Sequence, residues 1–207
     1  MGKGRLEAFS DGVLAIIITI MVLELRAPEE GDWHALARLM PEFLSYALSF
    51  TYVGIYWNNH HHMLKAAHHV NGGIMWANLH LLFWLSLIPF TTAWMARTGY
   101  ASAPVTAYGV VLLLSAIAYF ILQWAIMCAH GRDSLLRAAL GSDLKGKLSP
   151  LLYLTAIVLS FQWRWAAMGI YILVALIWLV PDPRISRVVQ SPSSSQLRIK
   201  IPPCLQW

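Results

Sequence analysis

Charge is what this chain has least of: 12% of its 207 residues are Asp, Glu, Lys or Arg, against roughly a quarter in an average soluble domain. With hydrophobic residues at 58%, that shortage points to an integral membrane protein that devotes most of its length to the bilayer. Cysteine is scarce as well. Cys128 lies in an apolar run and Cys204 near the end, so neither a disulfide framework nor a metal-ligand spacing can be assembled. Paired catalytic carboxylates, a phosphate-cradling glycine loop and a nucleophile elbow are all missing. Without that elbow, Ser10 beside Asp11 is a weak hydrolase signal. A non-enzyme with no cofactor is expected. The formal charge of +5 comes with no dense basic patch or reader motif, so nucleic acid is not expected as a partner. No second Phe-Ser-Asp run appears, and internal duplication is therefore not evident.

What is present are six apolar segments, at about 6–25, 42–64, 72–96, 104–128, 148–163 and 165–181. The first follows Lys3 and Arg5, as a secretory signal would. Asp11 and Glu24 bracket its core, however, and Arg26-Ala27-Pro28-Glu29-Glu30 makes a poor cleavage region, so it stays as a membrane helix. Pro41, Pro104 and Pro150 stand near helix starts, whereas Pro89 lies inside the third segment and should kink it. The last two segments are split by Gln162-Trp163-Arg164 and read as a tight hairpin, with one long tilted or re-entrant element as the alternative.

An amino terminus on the cytoplasmic side puts eleven of the fifteen Lys and Arg residues inside. Arg26, Arg38, Arg97 and Arg164 are left outside. This asymmetry satisfies the positive-inside rule and places both termini in the cytoplasm, in a multi-pass protein of the cell membrane. Tryptophans 57, 94, 163, 165 and 178 lie near segment ends, as interfacial anchors do. Residues 1–183 read as one transmembrane domain and residues 184–207 as a disordered cytoplasmic tail.

Chemistry concentrates in the first segment. On a helical wheel Ile16, Ile20 and Leu23 form a narrow stripe, with Thr19 and Val13 on its margin. Several copies facing one axis would stack these branched side chains into a hydrophobic constriction, with Thr19 adding a ring of hydroxyls. The same spacing also arises from lipid contact or core packing, since every face of this helix is apolar. Arg5, Ser10 and Asp11 make a polar knot at its beginning. Asp11 is one and a half turns beyond Arg5, so it is expected to pair with another helix. Glu24 either draws cations or snorkels beside Arg26. Five histidines between His60 and His69 suggest a metal site, with His61 and His68, or His62 and His69, on one helix face. No carboxylate or cysteine joins them, and a solvated cluster or a pH-sensitive contact is the other reading. Asn78 should be hydrogen-bonded to another helix.

Arg5-x-x-x-Phe9-Ser10-Asp11, running into Gly12-Val13-Leu14-Ala15-Ile16 and closing in Val22-Leu23-Glu24, resembles the first helix of bacterial members of the transmembrane protein 175 family. Trp57-Asn58-Asn59-His60-His61, Asn78-Leu79 and Pro89-Phe90-Thr91-Thr92 fit the same pattern, and the resemblance spans roughly residues 5–180. It implies an all-α, polytopic potassium channel of six transmembrane helices per chain. The channel would assemble as a homotetramer in the lipid bilayer, with the first helix lining the pore and no cofactor beyond the permeant potassium. Such channels lack the usual filter, and no Thr-Val-Gly-Tyr-Gly run is present here. By the same resemblance Ile16, Thr19, Ile20 and Leu23 line the pore and favour potassium over sodium. Arg5, Phe9, Ser10, Asp11 and His60 would support helix packing around it. The alternatives are a proton-coupled secondary transporter or proton-permeable channel using Asp11, Glu24 or the histidines, and a membrane adaptor that transports nothing.

Overall fold

The computed structural model describes residues 2–130 and 144–179. Among these it holds eight helices and no strand. They are α1 Lys3–Leu23, α2 Trp33–Arg38, α3 Met40–Ala66, α4 Gly72–Ser86, α5 Ile88–Arg97, α6 Ser102–His130, α7 Leu144–Ser160 and α8 Arg164–Leu179. The tail after Pro183, with Cys204, lies outside the described residues.

Hydropathy sets the main lengths, and local chemistry sets the ends. Three units are long and apolar enough to cross a bilayer: α1, the Gly72–Arg97 stretch made of α4 and α5, and α6. At 27 residues α3 is long enough, about 40 Å at 1.5 Å per residue, but Asn58, Asn59 and three successive histidines make it more polar. The apolar parts of α7 and α8 are shorter, at Leu148–Ser160 and Arg164–Leu179. They form the expected hairpin, closed by Trp163 N–H bonding back to the Leu159 carbonyl at 2.7 Å. Pro89 does more than kink its segment: the helix stops at Leu87 and restarts at Ile88, with the proline in the new first turn. Pro150 departs from expectation in the other direction. Because α7 begins at Leu144, this proline is interior to the helix. The short α2 was not visible in hydropathy at all. Asp32 starts it by accepting the Ala35 N–H at 2.7 Å, a standard N-cap.

Helix α1 packs against α3, α4 and α5, while α6 is flanked by α4, α5 and α7. The α5–α6 turn contains two left-handed residues, Gly99 and Tyr100. A tyrosine at positive φ is strained, and its side chain is what holds it there. The ring is buried, and its hydroxyl donates to the Pro41 carbonyl at 2.6 Å and accepts from Ser45 at 2.9 Å. The turn is thereby pinned to the first turn of α3.

Between α3, α6, α7 and α8 the core is made of tyrosine. Tyr52 and Tyr108 meet edge to face with ring centres 6.5 Å apart, and Tyr108 and Tyr171 do so at 5.6 Å. Tyr153 completes the group beside Tyr52 and Tyr171. The hydroxyls are satisfied within the protein: Tyr52 donates to the Tyr171 carbonyl at 2.6 Å, Tyr171 to the Val105 carbonyl at 3.2 Å, and Tyr108 contacts Ser49 Oγ at 3.0 Å. Such a core couples directional bonds to large buried area. It also needs Gly109, where an added Cβ would lie 2.0 Å from Tyr171 Oη and 3.0 Å from Ile157 Cγ1. Gly109→Leu is therefore expected to destabilise the protein by about 1–3 kcal/mol, read as a lower melting temperature in detergent. Gly169→Leu on α8, where an added Cβ meets nothing within 4 Å, should leave it nearly unchanged.

Candidate functional site

Because α1 is apolar on every side, hydropathy gives it no preferred rotation. Its polar contacts do. Leu6, Ser10, Leu14, Ile17 and Met21 are the buried residues, spaced as one helix face. Ser10, fully buried, donates its hydroxyl to the Leu6 carbonyl at 2.8 Å. Its oxygen accepts Asn78 Nδ2 of α4 at 2.9 Å, and Asn78 Oδ1 meets His60 Nε2 of α3 at 2.7 Å. The directions follow one from another. A main-chain carbonyl only accepts, so Ser10 donates there and accepts from the amide. The amide oxygen then faces His60, which must carry its proton on Nε2. His60 and Asn78 are as buried as Ser10. His60 Nδ1 has no hydrogen-bond partner among the described residues, and neither has His62 Nδ1.

Two further contacts flank this chain. Trp57 Nε1 of α3 donates to Asp11 Oδ1 at 3.0 Å. Asp11 thus pairs with another helix as expected, and the tryptophan near the end of the second segment is its partner. Glu7 Oε1 meets His61 Nδ1 at 3.1 Å. Asn78 reaches two helices, one more than the sequence required of it.

The opposite side of α1 is uncovered in the single chain. Ile16, Ile20 and Leu23 are 58%, 43% and 78% exposed. Thr19 is exposed beside them, with its hydroxyl donating to the Ile16 carbonyl at 2.8 Å. Helical spacing puts Phe9 and Arg5 on the same line. Both are exposed, and Arg5 has no ion pair among the described residues. At the far end Glu24 pairs with Arg97 of α5, not with its neighbour Arg26. A groove of about 650 Å³ lies along this side, lined by Val13, Ile16 and Ile20 of α1 and by Pro89, Phe90 and Trp94 of α5.

The histidines do not form the pattern read from their spacing. Helix α3 ends at Ala66, so the seven-residue intervals from His61 and His62 to His68 and His69 cross a helix end and place no pair on a common face. Among the described residues no three His, Cys, Asp or Glu side chains are grouped to hold a metal. His68 and His69 instead give their main-chain N–H groups to His130 Nε2 at 2.8 and 3.2 Å. His130 Nδ1 faces the Ile126 carbonyl at 2.8 Å, which fixes the proton on Nδ1. Sequence reasoning missed this contact, as it missed Arg97, because each joins residues more than sixty positions apart.

Comparison with known proteins identifies the family. The family model for the endosomal/lysosomal potassium channel TMEM175 matches residues 5–89, which hold all three members of the Ser10–Asn78–His60 chain. A potassium channel of Chryseobacterium sp. is 55% identical over 187 residues, covering 90% of this chain and 97% of that protein. The crystal structure of a lysosomal potassium-selective channel TMEM175 homologue from Chamaesiphon minutus superposes with a TM-score of 0.73 at 30% identity, covering 86% of this chain and 96% of that one. The endosomal/lysosomal proton channel TMEM175 of Rattus norvegicus is 30% identical over 152 residues, which is 65% of this chain but 30% of that protein. The helical fold and the relatives it matches define a membrane ion-channel family. The chain belongs to the TMEM175 family.

The polar chain gives a graded expectation for stability in detergent. Asn78→Leu strands two buried partners and should cost about 2–3 kcal/mol, and Ser10→Ala about 1 kcal/mol. His61→Gln, which loses only a partly exposed pair, should stay below about 1 kcal/mol. Thermal unfolding of the three variants checks the order.

Proposed function

We propose that this chain is a potassium channel, conducting passively through a pore that several copies form around the exposed stripe of α1. Four copies are inferred, each with six membrane-spanning segments. The α7–α8 hairpin supplies the last two, and both termini face the cytoplasm. Residues 1–183 make the channel domain, and 184–207 a cytoplasmic extension. The observation that carries the reading is the division of α1 into two faces. One is held inward by Ser10, Asn78 and His60; the other leaves Ile16, Ile20 and Leu23 without cover. The potassium channels to which the chain is similar support the choice of ion.

Chemistry at the stripe follows from its side chains. Ile16 to Leu23 spans about 10 Å of helix, so fourfold repetition would stack rings of branched aliphatic groups. A narrow apolar ring excludes bulk water and makes an ion shed part of its hydration. Potassium sheds water more readily than sodium, and this difference favours it without a carbonyl cage. Thr19 already spends its proton on the Ile16 carbonyl, which leaves its oxygen lone pairs free to meet a partly dehydrated cation. In the assembly Arg5 and Phe9 would pack between subunits, while Ser10, Asp11 and His60 act within each.

Proton permeation is the second reading. It is favoured by the relative named as a proton channel and by the buried imidazole at His60. Coupled transport would instead show saturable flux, and an adaptor none.

Purified protein in planar bilayers, with potassium on one side and sodium on the other, should reverse at a potential set by potassium. Ile16→Asn wets the ring and should lower the potassium-to-sodium permeability ratio several-fold, toward one. Equal ratios in both proteins would contradict the role given to Ile16, and a current that follows only the pH gradient would replace potassium with protons.

A further inference from the structure

Glu24 reads from the sequence either as a cation-attracting carboxylate at the end of the stripe or as a surface group snorkelling beside Arg26. Its surroundings say otherwise. Glu24 caps the carboxyl end of α1, one residue past Leu23, where the last helix carbonyls already carry partial negative charge. A carboxylate there is in unfavourable company. Arg97 sits in the last turn of α5, where a cation is favoured for the same reason, and its guanidinium is bonded to the Glu24 carboxylate. The two side chains close one end of the α1–α5 groove. Both also line a smaller cavity together with Glu42. Among the described residues this is the ion pair that joins α1 to another helix through an arginine, since Arg38 pairs locally with Glu30 and Glu7 meets a histidine.

We infer that Arg97 sets the charge that Glu24 brings to the carboxyl end of the α1 stripe: by pairing with Glu24 it cancels that carboxylate, so Glu24 adds no net acidic ring to this mouth of the pathway for a permeant cation. The inference rests on the channel reading above and adds a residue that no first-helix pattern contains. Charge near a pore mouth raises or lowers the local concentration of permeant ions. It acts over a Debye length, roughly 30 Å at 0.01 M salt and 3 Å at 1 M. A bare Glu24 and a cancelled one therefore differ in dilute potassium chloride and agree in concentrated salt. Merely loosening the helix contact would give no such salt dependence. Arg97 is thus a charge-setting and positioning residue, with Glu24 its object.

The test uses the full chain in bilayers of uncharged lipid, with potassium conductance read from about 0.01 to 1 M potassium chloride. Arg97→Gln should raise conductance about threefold at the dilute end and match the unaltered protein at the concentrated end. Glu24→Gln, which bares Arg97, should lower it by a similar factor. Glu24→Gln with Arg97→Gln should return it to the unaltered value at every concentration, and Arg97→Lys should preserve it. A double variant that conducts several-fold less than the unaltered protein in dilute salt would overturn the inference, because Glu24 would then act as an uncancelled carboxylate. So would single variants with no change at any concentration. An unaltered protein that passes no potassium would sink the channel reading separately. The pairing itself is then read from melting temperatures in detergent: non-additive losses in the two single and the double variant support it, and strictly additive losses overturn it.

Discussion

The rotation of α1 about its own axis is the constraint on which the rest depends. A helix apolar all round can present any face to its neighbours at similar cost, and lipid is as good a surrounding as a packed core. A buried hydroxyl cannot be left so free, because an unsatisfied polar group away from water is expensive. Ser10 meets Asn78, Asn78 meets His60, and only one rotation satisfies all three. Trp57 on Asp11 and His61 on Glu7 add purchase along the neighbouring face that Glu7 and Asp11 share. Once that face is inward, the line through Phe9, Ile16, Ile20 and Leu23 has to be outward.

The remainder of the bundle gives these contacts a rigid frame. The tyrosines of α3, α6, α7 and α8 lock their rings edge to face and bond their hydroxyls across helices. Tyr100 ties the α5–α6 turn to the start of α3. With α3 and α5 fixed in this way, Trp57 and His60 are held against one end of α1 and Arg97 against the other. The first helix is thus clamped at both ends while its outward stripe makes no demand on the single chain.

Much of this was legible in the sequence, and the illegible part has a common cause. The six apolar segments, the terminal hairpin and the need of Asn78 for a partner followed from hydropathy and from the cost of burying an amide. The motif Arg5 to Asp11 carried the family. What could not be read were side-chain pairings across long sequence separations: Arg97 for Glu24, His130 for the amides of His68 and His69, Tyr100 for Pro41. Composition is blind to these, because hydropathy reports depth in a membrane and not the angle at which one helix faces another. The histidine run misled for a related reason, since its spacing has meaning only on a continuous helix and α3 ends at Ala66. Pro150 misled because the charged and small residues from Leu144 onward hid a helix start from a hydropathy reading.

The claim that the outward stripe of α1 borders water in the working assembly is tested most directly by cysteine accessibility in conducting protein. With Cys128 and Cys204 replaced by serine, a charged, water-soluble thiol reagent should attack Leu23→Cys, at the outermost ring of the stripe, and block the current. Trp124→Cys, on the exposed side of α6, should remain unmodified in lipid. Rapid modification at residue 124 with residue 23 untouched would contradict the account and give the pathway to another helix.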